Sequence, residues 1–257
     1  MRSDLGGTRW RRAAVLAAVL VGACGSDSTD DLVWGYDRDN GPNVWRDLSP
    51  DFALCGNGLE QSPIDLVAND TEEFALPDFD WVTSRIEVGT ELDDDNNINF
   101  APVEENITEL DDVEYMMGQF NFQTPAEHTI EGQSFDGELH FVHATSDGAQ
   151  LVVGVMWEAG AFNNDVERLL QAIPSRDGNV NLIEDFDMES LLPDDAALYA
   201  YQGSRTTPPC TEGVTWLVYD QPLEASSEQL VELRDAIGGT NSRGIQPLNG
   251  RSVRLSN

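Results

Sequence analysis

Two neighbouring strand candidates carry polar side chains that could form one buried site. In the segment 119–123, the alternation of a strand puts two phenylalanines on one face and Asn121 and Gln123 on the other. In the segment 138–143, the same alternation turns His140 to one side. An imidazole can ligate a metal, and carboxamides can hydrogen-bond a ligand. The two strands therefore predict one polar pocket that holds Asn121, Gln123 and His140.

The elements that position this pocket are mainly strands. Segments rich in β-branched and aromatic residues are separated by clusters of Gly, Asp, Asn and Pro, which is typical of a sheet. The strand candidates are Asn97–Phe100, Gln119–Gln123, Glu138–Ala144, Leu151–Trp157 and Val214–Tyr219. Two segments have the apolar spacing of surface helices, Asn164–Ala172 and Ser227–Ile237, the second with Ser227 as the candidate N-cap. One domain over residues 32–257 is the economical interpretation, because no further linker or repeat interrupts it.

The first 23 residues predict a lipoprotein signal peptide. Arg9, Arg11 and Arg12 precede an apolar run that ends in Val21-Gly22-Ala23-Cys24 and is too short to span a bilayer in the mature protein. This pattern is that of a bacterial lipobox, in which the thiol of Cys24 is acylated and becomes the new N-terminus. Residues 24–31 would form the lipidated N-terminus and a polar tether. An ordinary secretory signal cut near Ala23, or a free thiol, is the alternative.

The charge of the chain restricts its partners. The formal net charge is −33, from 47 acidic and 14 basic residues, and no lysine occurs among the 257 residues. Nucleic acid is excluded as a partner, because a polyanion would be repelled. The acidic residues are spread along the chain in short runs, which indicates a strongly hydrated surface that suits high salt.

Two cysteines remain once Cys24 is assigned to the lipid. In an exported chain Cys55 and Cys210 are expected to form a disulfide, because the compartment is oxidising. Two separate free thiols are the alternative.

Several motifs in order along the chain resemble those of the α-class carbonic anhydrases, over essentially the whole mature chain. The motifs are Trp34-Gly35-Tyr36, Gln61-Ser62-Pro63-Ile64-Asp65-Leu66, the two strands of the pocket, Tyr201-Gln202-Gly203-Ser204-Arg205-Thr206-Thr207-Pro208-Pro209-Cys210 and Gln246-Pro247-Leu248-Asn249-Gly250-Arg251. The resemblance implies a mostly β (α+β) domain with a large, mixed but mainly antiparallel central sheet and a few surface helices. It also implies a Cys55–Cys210 disulfide, as in bacterial members.

The resemblance implies that the pocket corresponds to a zinc site that has lost two ligands. The family's enzymes hold zinc with three histidines, and the matching positions here are Asn121, Gln123 and His140. A carboxamide oxygen is a poor zinc ligand, so most of the zinc affinity should be lost. Without zinc, nothing lowers the pKa of a bound water to about 7, which hydration of CO2 requires. We therefore expect no cofactor and weak or absent activity, with zinc present only if the chain is an active enzyme.

Other family positions are retained around this degenerate site. Thr206 and Glu127 match the pair that aligns the zinc-bound hydroxide, and Glu138 and Gln119 match residues that orient the ligands. The alternative is purely structural, since buried polar groups must pair with one another. The segment 95–99 lacks the histidine that shuttles protons in fast enzymes. The remaining pocket residues implied by the resemblance are Asn99, Val142, Val152, Arg205, Thr207 and Trp216.

Arg205 stands where the family usually has a leucine on the pocket wall. With Thr206 and Thr207 it suggests a site for a small anion or a carboxylate, because a guanidinium binds such groups with two parallel hydrogen bonds. The alternative is that the arginine points to water.

Two hypotheses about function follow. The first is a ligand-binding or partner-binding module that has lost zinc and CO2 hydration, is exported to the cell envelope or periplasm and is lipid-anchored to a bacterial membrane. Its partners would be the membrane, through the lipid, and a small anion or an extracytoplasmic protein. The second is an active carbonic anhydrase, converting CO2 and water to bicarbonate and a proton, with an atypical or weakly held metal.

Overall fold

Strands dominate the regular structure of the chain. The computed structural model describes residues 34–70, 72, 74, 76–91, 97–175 and 179–256. The strands are β1 (Asp65–Leu66), β2 (Asp78–Asp80), β3 (Ser84–Glu91), β4 (Asn97–Pro102), β5 (Ile107–Leu110), β6 (Val113–Gln123), β7 (Thr129–Ile130), β8 (Gly137–Ala144), β9 (Gln150–Ala159), β10 (Val180–Phe186), β11 (Leu198–Ser204), β12 (Glu212–Tyr219), β13 (Leu223–Ala225) and β14 (Arg254–Leu255). The helices are α1 (Trp45–Leu48), α2 (Leu54–Asn57), α3 (Asn164–Ala172) and α4 (Ser227–Ile237), with short 3-10 helices at Pro50–Phe52 and Glu189–Leu191.

Within the described part of the chain, one sheet contains twelve of these strands. Its main path runs in the order β10-β3-β4-β6-β8-β9-β12-β11-β14. Most neighbours are antiparallel, while β12 and β13 both pair with β9 in parallel. The strands β1 and β7 form a separate parallel pair. The predicted mostly β fold with a large, mixed, mainly antiparallel sheet is confirmed.

The predicted elements agree closely with the structure. Each of the five strand candidates lies within an observed strand, and both predicted helices have the observed bounds. The N-cap of α4 is a correction. Ser226, and not Ser227, accepts the backbone N–H of Gln229, and the side chain of Gln229 accepts the N–H of Ser226 in return. This capping box satisfies amide groups that have no partner inside the helix.

The central strands bury one face in a large apolar core. On β6, Phe120 and Phe122 lie in this core and pack against Phe100, while the intervening polar side chains face the opposite side of the sheet. The predicted separation of apolar and polar faces on β6 is thus confirmed. It fixes the pocket on one side of the sheet, since a one-residue shift would exchange the two faces.

A disulfide joins Cys55 to Cys210, as predicted. Their Cα atoms are 5.0 Å apart across a sequence separation of 155 residues. Both cysteines are buried in a small cluster with Trp34 and Trp45. The bond therefore ties the N-terminal part of the described chain to the end of the loop that follows β11.

Two N-terminal features lie outside the described residues and stay predictions: the signal peptide, and Cys24 with its tether. In the described part of the chain, no helix combines the length and the apolar character that crossing a membrane requires.

The acidic composition leads to a first testable prediction. Among the described residues, the Arg–carboxylate pairs are Arg46–Asp47, Arg85–Glu104 and Arg168–Asp165, and all lie in solvent contact. Mutual repulsion within a net charge of −33 should therefore oppose folding at low salt. Raising NaCl from 10 mM to 1 M shortens the Debye length from about 30 to about 3 Å. We expect the Tm, followed by circular dichroism, to rise by several degrees; a Tm that is independent of salt would contradict this account.

Candidate functional site

The pocket is built on the antiparallel pair of β6 and β8. In their register Asn121 lies opposite His140, and Gln123 lies opposite Glu138. Strand alternation sends these side chains to the face away from the large apolar core. The structure thus brings together the three residues that the sequence placed in one pocket.

A cavity of about 460 Å³ opens above these strands. Asn121, Gln123 and His140 line it, as do Gln119 and Thr206. The predicted pocket residues Val142, Val152, Arg205, Thr207 and Trp216 line it as well. Asn99 is not among the residues that line the cavity, although the register of β4, with Phe100 opposite Phe120, puts its side chain on the same face of the sheet as Asn121.

The two carboxamides that face the cavity are bonded to each other. Nε2 of Gln123 donates to Oδ1 of Asn121 over 2.9 Å. Oε1 of Gln123 is buried and has no hydrogen-bond partner. Gln123 is only 2% exposed, and this oxygen is left without the hydrogen bond that a buried acceptor usually has.

Glu138 holds two imidazoles beneath the cavity. Its Oε1 lies 2.7 Å from Nδ1 of His128 and 2.9 Å from Nε2 of His140, although the ring N–H of His140 is not well aimed at it. Its Oε2 accepts the backbone N–H groups of Glu127 and His128. Burial opposes the charge of Glu138, but the two imidazoles and these hydrogen bonds outweigh it and hold its pKa well below the usual range. The role predicted for Glu138, to orient a histidine, fits this geometry.

His140 responds to the same carboxylate. Burial alone would lower the pKa of His140, but the charge of Glu138 and its short contact with the ring raise that pKa above the usual value. Nδ1 of His140 lies 4.0 Å from Oε2 of Glu127. The ring therefore sits between two buried carboxyl groups.

Glu127 is buried, and only one oxygen of its carboxyl group has a hydrogen-bond partner. Its Oε1 accepts the backbone N–H of Arg243 over 2.8 Å, whereas Oε2 has no hydrogen-bond partner. Burial raises the pKa of Glu127 to about 7, although His140 and Thr206 pull it down. Thr206 is near enough to Glu127 to help lower its pKa, but Oε2 of Glu127 itself has no hydrogen-bond partner.

Two residues of this buried network were missing from the sequence-based site. The hydroxyl of Tyr201 lies 2.6 Å from Nε2 of His128 and donates to Ser62. The guanidinium of Arg243, 2% exposed, donates to the carbonyl oxygens of Ser62 and Cys55. Tyr201 belongs to a motif that the sequence does show, but no local pattern marks Arg243, which reaches the site from far along the chain.

Arg205 lies at the mouth of the cavity and is exposed. Its backbone N–H bonds to Thr211, and its Nε donates to Oε1 of Gln150 over 2.9 Å. No carboxylate of the described residues forms an ion pair with it. Its Nε is thus bonded to a residue that also lines the cavity, and its two terminal nitrogens have no partner among the described residues.

The comparisons with known proteins agree with this architecture. The profile of the family described as eukaryotic-type carbonic anhydrase matches residues 40–257. A carbonic anhydrase of Pectobacterium carotovorum is 37% identical over 92% of this chain and 96% of its own. This chain belongs to the α-class carbonic anhydrase family.

Solved structures of carbonic anhydrases and of a relative have the same fold. The α-carbonic anhydrase of Thermovibrio ammonificans, solved with the inhibitor sulfanilamide, has a TM-score of 0.80 and 36% identity over 86% of this chain and 98% of its own. Dioscorin, solved in complex with ascorbate, has a TM-score of 0.77 and 28% identity over 87% of this chain and 98% of its own.

The α-class carbonic anhydrases are zinc enzymes, and the residues of this pocket fit zinc poorly. A catalytic zinc site needs three good protein ligands and one open position. Here one imidazole faces the cavity beside two carboxamides, and Oδ1 of Asn121 is already engaged by Gln123. A carboxamide oxygen is a weak ligand for zinc compared with an imidazole. This donor set therefore does not reproduce a zinc site.

A second group of residues has the composition of a metal site. His128, Glu138 and His140 are buried and offer ligand atoms within 4.8 Å of one another. However, both imidazoles lie against the same oxygen of Glu138. Of these three residues only His140 lines the cavity. A metal could bind there only by breaking this pairing, and it would lack an open position towards a substrate.

His143 on β8 is buried with its ring stacked on Trp81, and it leads to a second prediction. Burial lowers its pKa from 6.5 to about 4, and its neutral ring lies within hydrogen-bond distance of Thr108 and the carbonyl oxygen of Phe141. Because the folded pKa is lowered, the unfolded chain binds more protons, and stability is lost as the pH falls from 6.5 towards 4. This titration accounts for about 3 kcal/mol.

The measurement is urea unfolding of the wild type and His143→Gln at pH 7 and pH 4. The free energy of unfolding of the variant should fall by about 3 kcal/mol less over this range. Equal losses in the two proteins would rule out His143 as the titrating group.

Proposed function

We propose that this carbonic anhydrase family member binds a small anionic ligand in the cavity and does not use a zinc-bound hydroxide. The observation that carries this proposal is the donor set, one imidazole and two carboxamides that bond to each other. Without a zinc ion, no group in the cavity can lower the pKa of water to about 7. The hydration of CO2 would then be weak or absent.

The arginine at the mouth supports an anionic ligand. Arg205 has no carboxylate partner among the described residues, and a guanidinium binds carboxylates with parallel hydrogen bonds. The net charge of −33 would repel a large polyanion such as a sulfated glycan, but a small anion interacts mainly with its immediate partners. The ascorbate complex of dioscorin is a precedent for a small ligand bound to a relative of this fold.

The second candidate is CO2 hydration with an atypical or weakly held metal. The names of the relatives, which are carbonic anhydrases, favour this candidate over the first. The retained Glu127, Thr206 and His140 also favour it, because they line or adjoin the cavity as the family mechanism requires. Zinc would be the cofactor in this case, with His140 as its strongest ligand.

Metal content and activity of the full chain separate the two candidates. The protein should be equilibrated with excess zinc, passed through a desalting column and analysed by mass spectrometry, beside a stopped-flow assay of CO2 hydration. The first candidate predicts zinc well below one ion per chain and a rate equal to that of buffer. Stoichiometric zinc together with a rate above buffer would establish the second candidate.

Calorimetric titration with bicarbonate, acetate and sulfate tests the anion site directly. Arg205→Leu should weaken binding at least about tenfold, the range for a lost hydrogen bond to a charged group. Arg234→Leu is the matched control, because this exposed arginine on α4 does not line the cavity. If Arg205→Leu binds these anions as the wild type does, the proposal is wrong.

We also propose that the protein is exported to the cell envelope or periplasm and is lipid-anchored to a bacterial membrane through Cys24. The support is the sequence before and at this cysteine, an apolar run that ends in Val21-Gly22-Ala23-Cys24. Expression in a bacterial host should place the wild type in the membrane fraction and Cys24→Ser outside it. An extracytoplasmic protein is the other partner that such a location would allow.

A further inference from the structure

The cavity has two different polar ends. At the mouth, the exposed guanidinium of Arg205 is oriented by the bond from its Nε to Gln150. At the floor, Gln123 lines the cavity and is 2% exposed, and its buried Oε1 has no hydrogen-bond partner in the protein. The mouth therefore offers hydrogen-bond donors with a positive charge, and the floor offers a neutral acceptor.

The walls between these ends suit a small organic molecule. Val142, Val152 and Trp216 give apolar surface, and the volume of about 460 Å³ lies within the range of small-molecule sites. A small inorganic anion at Arg205 would leave this apolar surface unused, and sulfate has no proton to donate to Oε1 of Gln123. A cation would be repelled at the mouth.

We propose that the cavity selects a small hydroxycarboxylate, whose carboxylate binds the terminal nitrogens of Arg205 and whose hydroxyl donates to Oε1 of Gln123. This inference rests on the proposed anion-binding function and adds the class of ligand to it. A buried acceptor discriminates strongly between a hydroxylated ligand and its deoxy analogue, because the analogue leaves the acceptor unpaired.

Three matched probes test this selection without any mutation. D-gluconate has both groups, D-glucitol has the hydroxyls but no carboxylate, and hexanoate has the carboxylate but no hydroxyl. Calorimetric titration of the full chain should show D-gluconate binding at least about tenfold tighter than either of the others. If hexanoate binds as tightly as D-gluconate, the proposed hydrogen bond from the ligand's hydroxyl to Gln123 is wrong.

Two variants test which residue binds the carboxylate of the ligand and which accepts its hydroxyl. Arg205→Leu should reduce the affinity for D-gluconate at least about tenfold and leave that for D-glucitol unchanged. Gln123→Met keeps the length of the side chain but removes Oε1, so it should bring D-gluconate to the affinity of hexanoate. Arg234→Leu should bind all three as the wild type does. If Gln123→Met keeps the full preference for D-gluconate, the floor contact is wrong.

The outcomes separate this inference from the function on which it rests. Binding of acetate and hexanoate that depends on Arg205, without a preference for D-gluconate, would leave the anion site standing and end the hydroxycarboxylate proposal. Absence of any Arg205-dependent binding, whether of carboxylates or of bicarbonate and sulfate, would end both.

Discussion

Replacing Asn121 and Gln123 together by histidine is expected to produce a chain that binds one zinc ion and hydrates CO2 at least about 100-fold faster than the wild type. Even residues that only orient zinc ligands contribute about 10- to 100-fold to affinity or activity, so two direct ligands should contribute more. Asn121 and Gln123 share one face of β6, and Asn121 lies opposite His140 on β8. Three imidazoles would then converge from the two strands.

The surroundings of the restored site are already in place. Glu138 holds His140 from below, and Thr206 lines the cavity near Glu127. The segment 95–99 supplies no histidine to carry protons away. The restored rate should therefore increase further with the concentration of an added buffer such as imidazole, which can accept the proton instead.

Stopped-flow hydration and bound zinc are the two measurements. Gln119→His is the matched control, since it adds an imidazole to the same strand and the same cavity without completing the set of three. It should bind little zinc and stay near the wild-type rate. A wild type that already carries zinc and matches the double variant would show that the carboxamides are sufficient ligands.

The sequence predicted the faces of the strands better than the contacts of their side chains. The polar alternation on β6 and the position of His140 follow from backbone geometry alone, so they could be read from residue order. The bond between Gln123 and Asn121 could not, because it depends on side-chain rotamers on one strand. Because of this hydrogen bond, Oδ1 of Asn121 has a partner whereas Oε1 of Gln123 has none.

Long-range partners account for other parts of the site that the sequence did not reveal. Arg243 reaches Glu127 and Cys55 across more than 100 residues, so no local spacing could predict it. Arg205 was open between the cavity and water, and in the structure it both lines the cavity and is exposed, with its Nε bonded to Gln150. Asn99 was placed in the pocket through the resemblance, and its strand does pair with β6 beside Asn121, but its side chain is not among those that line the cavity.

Removing the disulfide with the double variant Cys55→Ser/Cys210→Ser is expected to lower the free energy of unfolding by about 5 kcal/mol. The bond closes a loop of 155 residues, and the chain-entropy model assigns about this value to a loop of that length. Urea unfolding of the variant, and of the wild type with and without a reducing agent, measures the effect. Cys24→Ser is the control and should unfold as the wild type does, because Cys24 has no part in this bond.

The same bond should also affect the ligand site, because Cys210 ends the loop that carries Arg205, Thr206 and Thr207. The carbonyl oxygen of Cys210 accepts from Gln61, and that of Cys55 accepts from the buried Arg243, whose amide supports Glu127. Loss of the disulfide should therefore weaken anion binding even where the chain remains folded. Calorimetric titration with acetate at a temperature below the onset of unfolding measures this. An affinity that is unchanged after reduction would mean that the hydrogen bonds alone hold the loop in place.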